Sequence, residues 1–476
     1  MLFPSLHFLW FFVAVYALYW ALQPRRRAQN GLLLLASWFF YGYWDWRFLG
    51  LLIGSTIVDF LCGLAFDRPG LSARGRRLVL AVSVAVNLGA LSTFKYLGFF
   101  VDSARELVAA LGFDPGAWHL SIVLPVGISF YTFQTLSYSI DRYRGALEVE
   151  GDFVDFALFV SFFPQLVAGP IVRASWFLPQ GKGRRAFRWD DQADGVQLVL
   201  WGLFKKAVIA DNLAPFVDGV FGAEAVPGMA VRLLAVYAFC AQIYCDFSGY
   251  TDIARGLARM LGFDFPLNFR QPYLSSDPST FWRRWHISLS TWLRDYLYVT
   301  LGGNRRGLRR TYVNLMATMV LGGLWHGAAW NFVLWGAYQG TLLAVHRFWR
   351  ERVAPPNETP ALWMRLVRWL VFFQLVNLGW LLFRAQSLEQ IAAFLTPGGG
   401  WLTGLELSEH TARGLLIGGL GCVALLLWDA VLEREGRDLP TRGLSAAPRA
   451  LLFGALYLAV SLLGRFAGEE FIYFQF

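Results

Sequence analysis

Long apolar runs follow one another along almost the whole chain, separated by short polar or basic stretches. A helix needs about 20 residues to cross the hydrocarbon core of a membrane, and several of these runs are shorter. We therefore expect ten to twelve true spans, with the remaining runs tilted, re-entrant or in-plane. The pattern predicts an all-α, polytopic membrane protein with about thirteen candidate segments: 5–23, 31–44, 48–66, 78–100, 121–140, 153–171, 196–210, 231–250, 312–324, 330–346, 367–383, 415–431 and 451–466.

Basic residues between the runs predict the orientation of the chain. The first run is preceded by no basic segment and followed by no small-residue cleavage site, so we interpret it as a retained span. Arg25, Arg26 and Arg27 directly follow it, and basic residues favour the cytoplasmic side of a membrane. The N-terminus is therefore expected outside. The basic cluster at 434–449 predicts the same for the C-terminus, which requires an even number of spans.

Residues 246–310 interrupt the pattern, because they are too polar to span a membrane and too aromatic for a solvated loop. Irregular backbone at membrane depth is tolerated only where protein buries it or where it lines a wet cavity. We expect in-plane and re-entrant helices that line a cavity here. We expect the whole chain, residues 1–476, to form a single integral-membrane domain. Its final part, 449–476, holds the last span and an aromatic hexapeptide.

One helix is predicted within this segment, over residues 280–296, with a start signal in the preceding Asp-Pro-Ser. Positions i, i+3 and i+4 of a helix share one face. That face would carry Trp282, Trp285 and His286. Arg283 and Arg284 would then lie on its flanks.

Two histidines are the candidates for chemistry. His326 lies in an otherwise apolar segment, where an ionisable residue indicates function by default, although helix packing also explains it. His286 either faces the predicted cavity or sits at an interface. A buried neutral histidine can act as a general base. The remaining histidines lie near predicted membrane edges or in loops: His7, His119, His346 and His410.

Composition agrees with a membrane protein, since 56% of the residues are hydrophobic and only 16% are charged. A soluble protein carries about 25% charged residues. The net charge of +9 comes from basic clusters beside apolar runs, so it indicates topology and not nucleic-acid binding. The four cysteines form no metal or disulfide pattern, and we expect no metal site. Gly414 and Gly418, spaced as in GxxxG, predict close helix packing.

Seven motifs spread over the chain have a recognisable character: SWFFYGYWDWRFL (37–49), FFPQLVAGPIVRA (162–174), CDFSGYTDIA (245–254), NFRQPYLSSDPSTFWRRWHISLSTWLRDYLY (268–298), GGNRRG (302–307), GGLWHGAAWNFVLWG (322–336) and FIYFQF (471–476). In these motifs the sequence resembles the membrane-bound O-acyltransferase (MBOAT) family. The resemblance is to its bacterial branch of alginate O-acetyltransferase membrane subunits, to which teichoic-acid D-alanyl transferases are related.

The resemblance implies a catalytic role for His326 and a second active-site role for His286, in a funnel through the bacterial inner membrane. It implies that a cytoplasmic acyl thioester, either acetyl-CoA or an acylated carrier protein, is the co-substrate, with no bound cofactor. It also implies that an acetyl group passes to an extracytoplasmic SGNH-type O-acetyltransferase that modifies a polysaccharide such as alginate.

A mechanism follows as a hypothesis. Neutral His326 removes the proton of an acceptor hydroxyl, which attacks the thioester carbonyl, and the resulting oxyanion needs hydrogen-bond donors. Candidate donors are His286 and the indoles of Trp285 and Trp325, although most of the 21 tryptophans must serve packing or membrane belts. The anionic thioester donor is expected to meet Arg283, Arg284 and Arg305, and positive-inside topology explains Arg305 equally well.

Tyr473 carries the only hydroxyl of the terminal hexapeptide. It is either an aromatic anchor at the membrane interface or an acyl relay. The hexapeptide resembles the C-terminal motif of the small partner peptide in D-alanylation systems, which implies a tyrosine that carries the acyl group outward. A phenol, with an ordinary pKa of about 10, leaves an ester more readily than an alkoxide.

Two rival functions are D-alanyl transfer to teichoic acid and polysaccharide transport. The residues do not separate acetyl from D-alanyl donors. A transporter is disfavoured because the sequence shows no repeat symmetry with paired breaks in its spans.

Overall fold

The computed structural model describes residues 1–114, 116, 120, 122–167, 169–353, 361–397, 400–404, 407–436, 444–466 and 471–472. These residues form helices and no strand, which confirms the all-α prediction. The α-helices are α1 Leu6–Ala21, α2 Arg26–Ala65, α3 Ala73–Leu91, α4 Leu97–Ala110, α5 Ile128–Arg144, α6 Phe153–Ser161, α7 Phe163–Leu166, α8 Ala174–Lys182, α9 Trp189–Leu203, α10 Asp211–Phe221, α11 Met229–Met260, α12 Pro278–Arg284, α13 Ile287–Trp292, α14 Leu308–His326, α15 Trp330–Arg352, α16 Leu362–Arg384, α17 Leu388–Leu395, α18 Glu409–Glu435 and α19 Ala446–Leu463.

Among the described residues, six helical ranges are long and apolar enough to cross a membrane. They are Arg26–Ala65, Ala73–Ala110, Met229–Met260, Leu362–Arg384, Glu409–Glu435 and Ala446–Leu463. This is fewer than the ten to twelve spans expected, for two physical reasons. Some apolar runs fold as helices too short to cross, such as α1 and α6. Two others share α2, which is broken at Asp45, whose backbone is extended with φ −158° and ψ 111°.

The described chain divides into two compact units. The first comprises residues 1–192 and 257–265, and the second comprises 193–256 and 266–476. Both candidate histidines lie in the second unit. The predicted cavity-lining segment begins inside α11 and continues as irregular backbone with the short helices α12 and α13.

A tight antiparallel hairpin of α14 and α15 places His326 within the second unit. Only Gly327, Ala328 and Ala329 connect the two helices. A side chain at Gly323 would overlap the carbonyl oxygen of Phe332, and one at Gly336 would overlap that of Met319. Small residues of this kind let helix backbones approach closely in membranes. The hairpin therefore fixes His326 at its closed end.

Helix α18 packs through its glycines in the same unit. A Cβ atom at Gly414 would lie 2.6 Å from the carbonyl oxygen of Asn212 in α10, and one at Gly418 would lie 2.6 Å from Cγ of Leu213. Both distances are too short for a side chain. The predicted close helix packing at Gly414 and Gly418 is confirmed.

Candidate active site

His326 is the last residue of α14 and is buried. Its imidazole ring is surrounded by aromatic edges and faces. The ring centroids of Trp325, Trp335 and Phe383 lie 5.1, 5.0 and 5.4 Å away, each in a T-shaped arrangement. This aromatic enclosure keeps the imidazole out of bulk water.

The backbone changes direction at His286, which contradicts the predicted helix over residues 280–296. Helix α12 ends at Arg284, Trp285 is extended, and His286 adopts a left-handed conformation with φ 42° and ψ 56°. Helix α13 begins only at Ile287. Trp282, Trp285 and His286 therefore do not share one helical face, and that prediction is wrong.

A short backbone pairing holds this turn from both sides. The N–H of Arg270 donates to the carbonyl of Arg284 at 2.9 Å, and the N–H of Ile287 donates to the carbonyl of Asn268 at 2.9 Å. Left-handed geometry is costly for a residue with a side chain and persists only where its surroundings impose it. The segment from Asn268 to Arg270 supplies that constraint.

Hydrogen bonds to Asn268 assign the tautomer of neutral His286. The side-chain Oδ1 of Asn268 accepts the backbone N–H of Ser288 at 3.1 Å and the Ser288 hydroxyl at 2.9 Å. Because Oδ1 is only an acceptor, His286 Nδ1, 3.2 Å away, must carry the proton. The other ring nitrogen, Nε2, is then a hydrogen-bond acceptor. This bonding makes His286 Nε2 an acceptor of hydrogen bonds, so it does not donate from that atom to an oxyanion.

Burial keeps His286 neutral. The residue lies between short helices, outside the candidate membrane spans, and is fully buried. Loss of hydration lowers the pKa of the His286 imidazole to about 3, because a charged ring is disfavoured away from water. The ring of Phe247, 4.7 Å away in a T-shaped contact, closes one side of it.

Trp325 lies between the two histidines. Its ring centroid is 5.9 Å from that of His286 and 5.1 Å from that of His326. The structure thus brings together three of the residues selected from the sequence. Trp285 belongs instead to an aromatic cluster, with contacts at 4.7 to 6.2 Å to Tyr244, Phe269, Tyr273, Phe281 and Trp380.

Trp335 is a further site residue that the sequence did not single out. It is 1% exposed, and its ring packs against His326. Among the described residues its indole N–H has no hydrogen-bond partner. A buried donor without a partner is costly and calls for an explanation. Its sequence signal is its place in the motif GGLWHGAAWNFVLWG (322–336), which also contains His326 and two other tryptophans.

The three candidate arginines make contacts away from the histidines. Arg284 pairs with Glu433 at 2.6 Å, and Arg283 donates to the Thr280 hydroxyl at 2.9 Å. Arg305 donates to the carbonyl of Val299 at 3.3 Å. Arg283 and Arg305 are exposed.

Tyr473 lies outside the described residues, whereas the two residues before it are described and buried. The Phe471 ring lies 5.4 Å from that of Phe247, which also contacts His286, and 4.8 Å from that of Tyr250. The backbone N–H of Ile472 donates to Asp246 Oδ2 at 2.8 Å. The start of the terminal hexapeptide therefore lies one ring away from His286.

Asp246 belongs to a buried group of charges. Its Oδ1 atom is 2.6 Å from Lys206 Nζ, which lies 2.8 Å from Asp211 Oδ1. Breaking a buried pair leaves an uncompensated charge and costs about 3–5 kcal/mol. Asp246 is thus fixed in place when it accepts the Ile472 N–H. In the part of the chain that the structure describes, no group of three or more metal-ligating side chains is present.

The chain is similar to known membrane acyltransferases over most of its length. A model of the membrane-bound O-acyltransferase family matches residues 149–382. The chain is 42% identical over 455 residues to a probable alginate O-acetylase of Azotobacter vinelandii, covering 94% of this chain and 88% of that protein. It is 36% identical to a peptidoglycan O-acetyltransferase of Helicobacter pylori, covering 75% and 71% of the two chains. A teichoic acid D-alanyltransferase of Bacillus subtilis is 26% identical, covering 54% and 68%.

These matches confirm the family and the acyltransferase activity that the sequence motifs predicted. The chain belongs to the membrane-bound O-acyltransferase family and is a multi-pass membrane acyltransferase.

Proposed function

We propose that the protein transfers an acetyl group from a cytoplasmic thioester across the bacterial inner membrane, for O-acetylation of an extracytoplasmic polysaccharide. The observation that carries the proposal is the pair of buried histidines flanking Trp325, with the start of the C-terminal hexapeptide beside them. Relatives named as O-acetyltransferases cover at least three quarters of the chain, and the D-alanyl relative covers about half. That difference favours acetyl over D-alanyl.

The chemistry assigned to His326 is proton transfer. Its neutral ring takes the proton of the acceptor hydroxyl as the hydroxyl oxygen attacks the thioester carbonyl carbon. The carbon–sulfur bond then breaks, and the departing thiolate receives the proton from His326. The products are an acetyl ester and a free thiol, so no oxidant, metal or bound cofactor is needed.

The acceptor proposed is the phenol of Tyr473. The contacts of Phe471 and Ile472 support this, because they hold the two residues directly before Tyr473 one ring away from His286. The resulting aryl ester is handed on outside the membrane. There an SGNH-type serine enzyme attacks the ester carbonyl, the bond to the phenol oxygen breaks, and the phenol regains its proton.

The orientation proposed follows from the basic clusters. Residues 305–310 precede and begin α14, and residues 347–352 end α15. Because these helices are antiparallel, both clusters lie at the open end of the hairpin, opposite His326. Basic residues favour the cytoplasm, so the thioester enters at the open end. Both chain termini are proposed to face outward.

The proposed function is tested by following the acyl group. Full-length protein in lipid nanodiscs is incubated with isotope-labelled acetyl-CoA, and its C-terminal peptide is analysed by mass spectrometry. We expect an acetyl ester on that peptide, which alkaline hydroxylamine removes. Labelling by a D-alanylated carrier protein, with none from acetyl-CoA or an acetylated carrier protein, would contradict acetyl transfer and support the D-alanyl alternative.

Trp335 is the candidate for stabilising the oxyanion, because its buried indole N–H has no described partner and its ring contacts His326. Trp335→Phe keeps an aromatic ring and removes the donor. We expect acetyl transfer to fall about 10²–10³-fold, as for loss of one oxyanion-hole donor, measured as the initial rate with labelled acetyl-CoA.

Trp380 provides a matched control. It is also buried with an indole N–H that has no described partner, and its ring packs on Trp285. Trp380→Phe should retain a rate within a few fold of wild type. Equal losses in the two variants would show that aromatic packing, and not the donor at Trp335, sets the rate.

A further inference from the structure

A pocket of about 390 Å³ lies at the open end of the α14–α15 hairpin. It is lined by Ser279 at the start of α12, by Leu315 of α14, and by the last turns of α15. The residues from α15 are Leu343, His346, Arg347, Arg350 and Glu351. None of these side chains has a part in the chemistry described above.

The polar side chains of the pocket favour an anion. The Ser279 hydroxyl and His346 Nδ1 are 3.2 Å apart, so when the ring N–H donates to the Ser279 oxygen, the Ser279 hydroxyl can donate to a bound oxygen. Arg350 is exposed, and no carboxylate of the described chain lies within ion-pair distance of it. Arg347 pairs with Glu351 through its Nε atom, at 2.8 Å. The two terminal nitrogens of its guanidinium group can therefore bind an anion in the pocket.

The nearby carboxylates are already engaged. Asp277 caps α12, accepting the Thr280 N–H at 2.9 Å and the Thr280 hydroxyl at 2.7 Å, and lies 3.7 Å from His346 Nε2. Glu351 is occupied by Arg347. Arg283, one of the arginines selected from the sequence, donates to the same Thr280 hydroxyl at 2.9 Å, and its positive charge acts on His346. The pocket therefore retains positive charge.

The pocket is set back from the reacting atoms by a defined length of helix. Trp335, which packs on His326, is eleven residues from His346 along α15, and His326 is eleven residues from Leu315 along α14. At 1.5 Å per residue both paths give about 16 Å. A phosphate bound here could place a thioester at His326 only through a long, thin arm. Pantetheine is such an arm.

We propose that this pocket binds a phosphate of the acyl donor, holding a phosphopantetheine-type thioester so that its acyl end reaches His326. Arg347 and Arg350 supply the charge, and the Ser279 hydroxyl, oriented by His346, supplies a neutral donor. The inference rests on the proposed thioester chemistry but concerns binding, which is measured without turnover. An anionic lipid headgroup offers the same phosphate chemistry and is the alternative source.

The test compares two thioesters, because acetyl-pantetheine lacks the phosphates and the adenosine of acetyl-CoA, and an arginine variant then isolates the phosphate contacts. The full chain in phosphatidylcholine nanodiscs is titrated with acetyl-CoA and with acetyl-pantetheine, which lacks phosphate. We expect wild type to prefer acetyl-CoA. The double variant Arg347→Gln/Arg350→Gln should bind acetyl-CoA roughly ten- to hundredfold more weakly, as expected for lost charge-assisted hydrogen bonds, with acetyl-pantetheine unchanged.

Arg352→Gln is the matched control, because Arg352 ends the same helix and is exposed but is not among the pocket residues. It should bind both ligands like wild type. The proposal is overturned if wild type does not distinguish the two thioesters, or if the double variant binds acetyl-CoA as wild type does.

A separate experiment tests whether the pocket binds a lipid headgroup instead. Nanodiscs containing phosphatidylglycerol are compared with pure phosphatidylcholine, and bound lipid is measured by native mass spectrometry. Loss of retained phosphatidylglycerol in the double variant, with acetyl-CoA binding unaffected, would assign the pocket to a headgroup and overturn donor binding. Normal donor binding by a wild-type protein that transfers no acetyl group would instead contradict the proposed function alone.

Discussion

His326→Gln should abolish acetyl transfer while leaving the protein folded and inserted. Glutamine fills much of the space of the imidazole but cannot accept a proton near neutral pH. Loss of a general base typically slows a reaction by roughly 10²–10⁴-fold. The rate is measured with labelled acetyl-CoA in nanodiscs, beside polysaccharide acetylation in cells.

A histidine elsewhere in the chain controls for the substitution itself. His7 is exposed, lies in the first unit and has the ring of Tyr43 6.4 Å away. His7→Gln should transfer acetyl groups at the wild-type rate. A well-expressed His326→Gln protein with near-normal activity would remove proton transfer at His326 from the mechanism.

Tyr473→Phe is expected to stop acetylation of the polysaccharide completely, with expression unchanged. The substitution retains an aromatic side chain for anchoring and removes the one hydroxyl that the relay requires. Acetyl ester on the C-terminal peptide should disappear together with polysaccharide acetylation. Both are measured on the same cells, the first by mass spectrometry and the second by release of acetate from the purified polysaccharide.

Tyr457 offers a matched change in the last helix. It is 61% exposed on α19, as expected of a side chain that faces lipid, and Tyr457→Phe should leave acetylation intact. If Tyr473→Phe is as active as Tyr457→Phe, the terminal hexapeptide is an anchor and the acyl group passes directly to another acceptor. His326 would keep its role in that case.

Much of the fold could be predicted from hydrophobicity, since the apolar runs correspond to helices and Gly414 and Gly418 pack as their spacing indicates. His326 could be found because an ionisable side chain stands out in an apolar segment. The turn at His286 could not be predicted from the sequence. It contains neither glycine nor proline, and it is imposed by residues 268–270, which lie some 16 positions earlier in the chain.

The role of Trp335 was hidden for a different reason. Many tryptophans occur in this chain, and burial of the indole N–H together with contact with His326 separates only Trp335 and Trp325 from the other described ones. Both properties arise from the way α15 folds back on α14. A pattern along one helix carries no information about the partner that the other helix presents.

The left-handed backbone of His286 has a consequence for engineering the enzyme. A non-glycine residue in this conformation costs on the order of 1 kcal/mol or more, whereas glycine adopts it freely. Replacement of His286 by glycine would relieve that strain but would lose a fully buried side chain and its bond to Asn268, and that loss costs more than the strain does. Selection for heat tolerance should therefore leave His286 in place, so that stability and catalysis retain the same side chain at this position.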